Sequence, residues 1–337
     1  MSPLVLSLSL ALQPSAEDAP KPEAPVRLFT DSGVEIRLQE EVFQLFAALN
    51  AAGYSEESKR RSPPLSAPVY HPLRVDVRDA LRDLRDKPAT NAVRKLFEAN
   101  PYPIEDYLAA MIAGPDDRVS ANAAKLKGQL GPLEAFAEEA GLQALFDKLA
   151  EAQRDLGKKL SKAIEEDLGA VREKLDDDKF RAPTSLVVVP NPLDSHDAYR
   201  TFTVGDQAYA VVGPGLEESR SQIAFAAVEP YVRASVDRAW GSASKYRSHW
   251  DGVKLAKRIS KRYGNGKNYL TVALTRALVH RLNAERTGDA EADELFIDQQ
   301  AQEGMRWARI VLRVLDKRSD GVPFGQELPR LLAKHGP

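Results

Sequence analysis

The chain has 337 residues, 43% apolar and 28% charged, with a formal net charge of −2. That balance suits a globular body of one large domain or two, and it leaves no global field to draw nucleic acid or an acidic membrane. There is no cysteine, which excludes disulfides, a thiol nucleophile, thiolate zinc sites and a lipidated cysteine anchor.

The first residues, Met1-Ser-Pro-Leu-Val-Leu-Ser-Leu-Ser-Leu-Ala11, form a short apolar run ending in a small-x-small pattern at Ser9-Leu-Ala11. A Pro/Ala/Glu-rich stretch follows, so residues 1–25 read as a signal peptide and linker, and export is expected. The run lacks a basic n-region, and the alternative is a cytosolic tail. No stretch approaches the ~18 apolar residues of a membrane span.

Residues 26–37 read as a short strand and turn, and residues 34–52 as a helix with Val42, Leu45, Phe46 and Leu49 at helical spacing. Residues 55–72 carry Ser62-Pro-Pro64 and Ala67-Pro68 and read as a loop. Short helices are expected at 77–85, 90–99, 104–112 and 133–140, separated by Pro and Gly breaks. The longest periodic stretch, 141–175, reads as one or two amphipathic helices, with Gly157 and Gly169 as candidate breaks.

The clear sheet signal lies over residues 184–213. Ser185-Leu-Val-Val-Val189 is β-branched, and residues 199–204 and 207–212 flank Gly205-Asp206, a two-residue hairpin turn. Helices are then expected at 217–240, 245–263, 268–283, 289–317 and 324–334. The order gives an α+β fold, mainly helical, with a small antiparallel sheet. Residues 26–180 form a mainly helical first part and 181–337 a second part, expected to be continuous with it.

Four stretches of the second part carry a family resemblance. They are Tyr209-Ala-Val-Val-Gly-Pro214, Gln222-Ile-Ala-Phe-Ala-Ala-Val-Glu-Pro-Tyr231, the helix at 269–279 and the helix at 303–315. In order and spacing they resemble a bacterial family of secreted, gluzincin-like zinc metallopeptidases. The resemblance implies a strand, a hairpin, a helix bearing His-Glu-x-x-His, and a later helix bearing a glutamate as third zinc ligand. It places the first histidine near Ile223, the general base near Ala224, the second histidine near Ala227 and the third ligand near Val272 or Ala273.

None of those side chains binds a metal or moves a proton. Residues 221–228 contain no His, Asp or Glu, and residues 269–283 contain no carboxylate. Zinc hydrolysis needs three protein ligands and a base beside the metal-bound water. The five histidines are His71, His196, His249, His280 and His335, and no two are four apart. A set rebuilt from distant residues, such as His196, His280 and Glu229, is the alternative route to a metal. The resemblance therefore implies a zincin-like pseudo-metallopeptidase without metal or cofactor, whose old cleft binds a peptide or protein. Trp240, Trp250 and Trp307 are candidate cleft walls.

Two rivals remain. One is an enzyme of a non-zinc mechanism, which a His–carboxylate pair in one pocket would support. The other is a helical scaffold binding an anionic partner through Lys254, Lys257, Arg258 and Lys261, which fall on one helical face. Neither nucleic acid binding nor a transmembrane segment is expected.

Overall fold

The computed structural model describes residues 27–29, 34–53, 72–175, 185–194, 199–214, 220–241, 265–287, 292–302, 304–317, 319, 322 and 324–335. It is an α+β protein, mainly helical, with one small mixed sheet.

Strands β1 (Arg27–Phe29) and β2 (Val34–Arg37) come first. Residues 34–37 were equally readable as the start of a helix. They join the sheet instead, because Val34 and Ile36 alternate with Glu35 and Arg37 and only the first two are fully buried. Helix α1 (Glu40–Ala51) begins behind them, with Glu40 and Glu41 facing its positive N-terminal end. It stops at Gly53, which adopts φ +81°.

The following helices are α2 (Pro72–Ala80), α3 (Pro88–Ala99), α4 (Ile104–Ile112), α5 (Ala121–Leu126) and α6 (Gly131–Glu139). Helix α5 has no strong apolar period, and the Ser120 hydroxyl caps it by accepting from Ala123 N at 3.1 Å. Helix α7 (Leu142–Leu175) runs unbroken for 34 residues, about 51 Å. Gly157 and Gly169 are carried within it, since an isolated glycine costs only about 1 kcal/mol in a long helix.

Strands β3 (Ser185–Pro190), β4 (Tyr199–Val204) and β5 (Gln207–Val212) complete the sheet. Its order is β1-β2-β3-β5-β4. The expected antiparallel pairing holds for the β4–β5 hairpin, where Phe202 faces Tyr209. Strand β3, however, runs parallel to both β2 and β5. The reason is burial. Leu186 to Pro190 are all buried, so β3 needs a neighbour on each side and a cover on each face. Strand β4 carries Thr201 and Thr203 and takes the edge.

Val187, Val189, Phe202, Val204, Tyr209 and Val211 pack into a core with α1, α3, α4, α6 and the start of α7. On the opposite face lie Ala208, Ala210 and Val212, whose hairpin partners are Thr203, Thr201 and Tyr199. Helix α8 (Arg220–Ala239) covers this face, because small residues there admit a close helix. Arg200 of β4 holds Asp194 bidentately at 2.7 and 2.9 Å and lies over the Phe46 ring.

A second core follows. It joins α8 to α9 (Gly266–Thr287), α11 (Ala308–Asp316) and α12 (Phe324–His335), with α10 (Ala292–Gln302) against it. The single helix expected over 289–317 is in fact two, α10 and α11. The chain breaks at Gly304, which has φ +87°. The Tyr269 hydroxyl seals the break by donating to Gly304 O at 2.8 Å and accepting from Arg306 N at 2.7 Å. The helix expected over 245–263 lies outside the described residues.

Candidate functional site

Helix α8 packs against both the β4–β5 hairpin and α9. These are the three elements whose junction would frame a zincin-type cleft. At that junction Ala224 of α8 is fully buried and Ala273 of α9 is 1% exposed. Both belong to one apolar core with Val228, Val232, Leu270 and Leu274. Methyl groups packed in this way offer no lone pair to a metal. The backbone at Ile223 and Ala227 is helical, while their side chains lie outside the described residues. A zinc ion does not fit this donor set, and among the described residues no cluster of three or more His, Asp or Glu is placed to hold a metal.

Beside the alanines sits a polar constellation built from four elements. Thr201 of β4 donates to the Glu229 carboxylate of α8 at 3.0 Å. Arg233, one turn on, pairs with the same carboxylate and donates to Asn268 Oδ1 of α9 at 3.0 Å. Arg276, two turns further along α9, donates to Gln300 of α10 at 2.6 Å. Tyr199 stacks on Phe225 of α8 at 6.3 Å and donates its hydroxyl to Glu229.

Tyr199 is half-buried. Burial first, and then the Glu229 charge and hydrogen bond, push the phenol well above its ordinary range against the opposing pull of Arg276 and Arg233. Tyr199 is therefore a fixed donor at any physiological pH. Glu229 is 6% exposed and is held by donors from both β4 and α8. The Arg233 side chain is a quarter exposed, and its Nε is buried without an acceptor.

The sequence reading touched this cluster only at Glu229. The signal available was a Glu and an Arg four apart, Glu229-Pro-Tyr-Val-Arg233, on a helix otherwise facing a core. Such a pair on an apolar helix marks a buried ionic site rather than a solvated face.

A second polar site brings a histidine to a carboxylate. His280 of α9 lies 2.7 Å from Asp293 of α10 and stacks on Phe296 at 4.2 Å. Arg281 also holds Asp293, at 2.8 Å, and reaches Asp316 at 2.5 Å. Asp293 is thus shared between an imidazole and a guanidinium, and among the described residues no serine or threonine hydroxyl is bonded to His280. The arrangement clamps α10 to α9, and among the described residues it holds no nucleophile of a hydrolytic triad. His280 and Glu229 have separate partners and form no common ligand set. His71, His196 and His249, and the side chain of His335, lie outside the described residues.

Of the candidate cleft walls, Trp307 is buried edge-on against Tyr269 at 4.8 Å, Trp240 is half-buried against the second core, and Trp250 lies outside the described residues. The candidate anion face of Lys254, Lys257, Arg258 and Lys261 also lies outside them. No helix among the described residues is long and apolar enough to cross a membrane. The chain matches no protein-family model, no curated protein and no solved structure at a significant level.

Proposed function

We propose that this protein is a catalytically silent, zincin-like scaffold that binds an extended peptide or protein segment at the β4–α8 junction. The observation that carries the reading is the edge strand β4 lying beside α8. It is paired on one side only, to β5, and among the described residues none of its backbone groups bonds to any other segment. An unpaired edge next to a helix accepts an extended chain by main-chain hydrogen bonds.

Silence toward zinc is supported by Ala224 and Ala273, which occupy core positions where the resemblance would require a base and a ligand. The reading includes export, on the strength of the N-terminal apolar run.

Two measurements test the proposal together. Metal content by mass spectrometry, with a zinc titration by calorimetry, is expected to give neither stoichiometric metal nor micromolar zinc binding. A fluorescent library of extended peptides is expected to yield binders that Thr203→Pro weakens at least tenfold. Stoichiometric zinc with peptide hydrolysis would overturn the silent reading. A library without binders would overturn the peptide reading.

A further inference from the structure

We propose that the solvent face of α11 is a docking stripe for an acidic helix of a partner protein, read by Arg306, Arg313 and Lys317. The proposal is independent of the peptide-binding reading, since none of these residues belongs to β4 or α8. It starts from how the residues divide between the two sides of the helix. Over residues 306–317 the buried positions are Trp307, Ala308, Val311, Leu312 and Val314, and the exposed ones are Arg306, Arg309, Arg313, Asp316 and Lys317. Arg309, Arg313 and Lys317 are four apart and share one face, with Arg306 three residues before the first. An amphipathic helix needs a polar side opposite its apolar one, but not four cations to one acid.

These cations are mostly unspent. Asp316, the acid among the five, is taken by Arg281 at 2.5 Å. Glu294 of α10 holds Arg309 alone, at 3.0 and 2.8 Å. Among the described residues no carboxylate pairs with Arg306, Arg313 or Lys317. Folding accounts for only part of the set. Arg313 lies in the last turn of α11, where the helix dipole favours a cation. Arg306 and Arg309 stand at the opposite end, where the dipole favours acids, and the first turn holds none.

The charge pattern selects the partner. The four-residue step from Arg309 to Arg313 to Lys317 is about 6 Å along the axis. A helix laid alongside advances by the same rise, so acids four residues apart on it stay level with the cations. Separated acids also avoid Glu294 and Asp316, which the unbroken charge of a phosphodiester chain would meet. Trp307, the aromatic residue of the stretch, is buried, so it offers no face for a base to stack on. The one exposed large apolar side chain among the described residues is Leu295, set between Glu294 and Asp298 on α10, and those acids repel an anionic bilayer.

The test uses the full chain and a fluorescein-labelled, alanine-based helical peptide with glutamate at every fourth position, beside a scrambled peptide of the same composition. Fluorescence anisotropy at low salt is expected to show the first binding at least tenfold tighter than the second, the scale of a few surface ion pairs acting together, and added salt should weaken it. Arg306→Glu combined with Arg313→Glu should lower the affinity tenfold or more. Arg82→Glu, which reverses an exposed arginine just after α2, should change it less than twofold. If the double reversal fails to fold, Arg306→Gln with Arg313→Gln carries the test, with an expected loss of about threefold or more. Equal binding of the two peptides would overturn the helical match. Tighter binding of oligouridine, or of phosphatidylserine vesicles, that the same variants abolish would overturn the protein partner. Absence of binding by the first peptide would overturn the docking stripe itself.

Discussion

Thr201 and Glu229 join the two cores of the molecule. The threonine sits on the edge strand of the sheet, the glutamate on the helix that leads into the second core, and 3.0 Å separates the hydroxyl from the carboxylate. The contact is polar and part-buried, so it sets register as well as adding energy. Glu229→Ala would strip the acceptor from Thr201, Tyr199 and Arg233 at once. Because Arg233 is a quarter exposed, the expected loss is about 2–4 kcal/mol rather than the full cost of a stranded buried charge. Urea unfolding of Glu229→Ala beside Thr201→Val measures it. The threonine change alone should cost no more than about 1.5 kcal/mol. Equal costs for the two variants would contradict the shared-acceptor account.

Asp194 and Arg200 form the most enclosed ion pair among the described residues. The aspartate side chain is 0% exposed and the arginine 15%. Burial alone would lower the guanidinium pKa, yet Asp194 and then Glu105 hold it above its ordinary value. The arginine is thus charged in the core and depends on its partners. Asp194→Ala leaves only Glu105, at 3.6 Å, and is expected to cost about 3–5 kcal/mol. Asp194→Asn keeps one acceptor and should cost clearly less. Thermal melting of the two variants decides it, and an alanine variant as stable as the asparagine one would refute the dependence.

Parts of this architecture were legible and parts were not, for physical reasons. The Gly205-Asp206 turn carries its own backbone requirement, so the hairpin at 199–212 reads directly from the sequence. Helix α4 likewise follows from Pro103 and Gly114 bracketing an apolar run. The parallel pairing of β2 with β3 is not local, since some 150 residues separate Ile36 from its partner Val188 and no short-range pattern records it. The break at Gly304 depends on the Tyr269 hydroxyl, 35 residues away. The site follows the same rule. That residues 221–228 carry no His, Asp or Glu reads from single positions, whereas the Tyr199–Glu229–Arg233–Arg276 cluster exists only once β4, α8 and α9 have met.

Gly205 gives a local test of the hairpin. It holds φ +58°, and a Cβ there would lie 3.2 Å from Asp117 Oδ1. The left-handed backbone costs an L-residue about 1–2 kcal/mol, while the Asp117 carboxylate is a movable side-chain end that can yield. Gly205→Ala is therefore expected to destabilise by about 1–2 kcal/mol, and Gly205→Asn by less, because asparagine tolerates this region. Chemical denaturation separates the two. An alanine variant as stable as the parent would mean that the turn relaxes to another type.

Glu327 makes the C-terminal helix sensitive to acid. Its side chain is 1% exposed. Burial alone would raise its carboxyl pKa, but hydrogen bonds from Ser319 N at 3.0 Å and Ser319 Oγ at 2.8 Å, together with Arg330, hold it below the ordinary value of 4.5. A depressed folded pKa means that the unfolded chain takes up the proton first. The stabilisation is then complete above the unfolded value and disappears as pH falls through the folded one. Arg330 is 61% exposed, so its share is small, and the two Ser319 bonds carry most of the effect. Urea unfolding from about pH 7 down to pH 3 should show the parent losing stability below about pH 4.5. Glu327→Gln is expected to be about 1–2 kcal/mol less stable at pH 7 and to converge on the parent at the acid end. Two curves that stay parallel across the range would show that the pH dependence arises at other carboxylates.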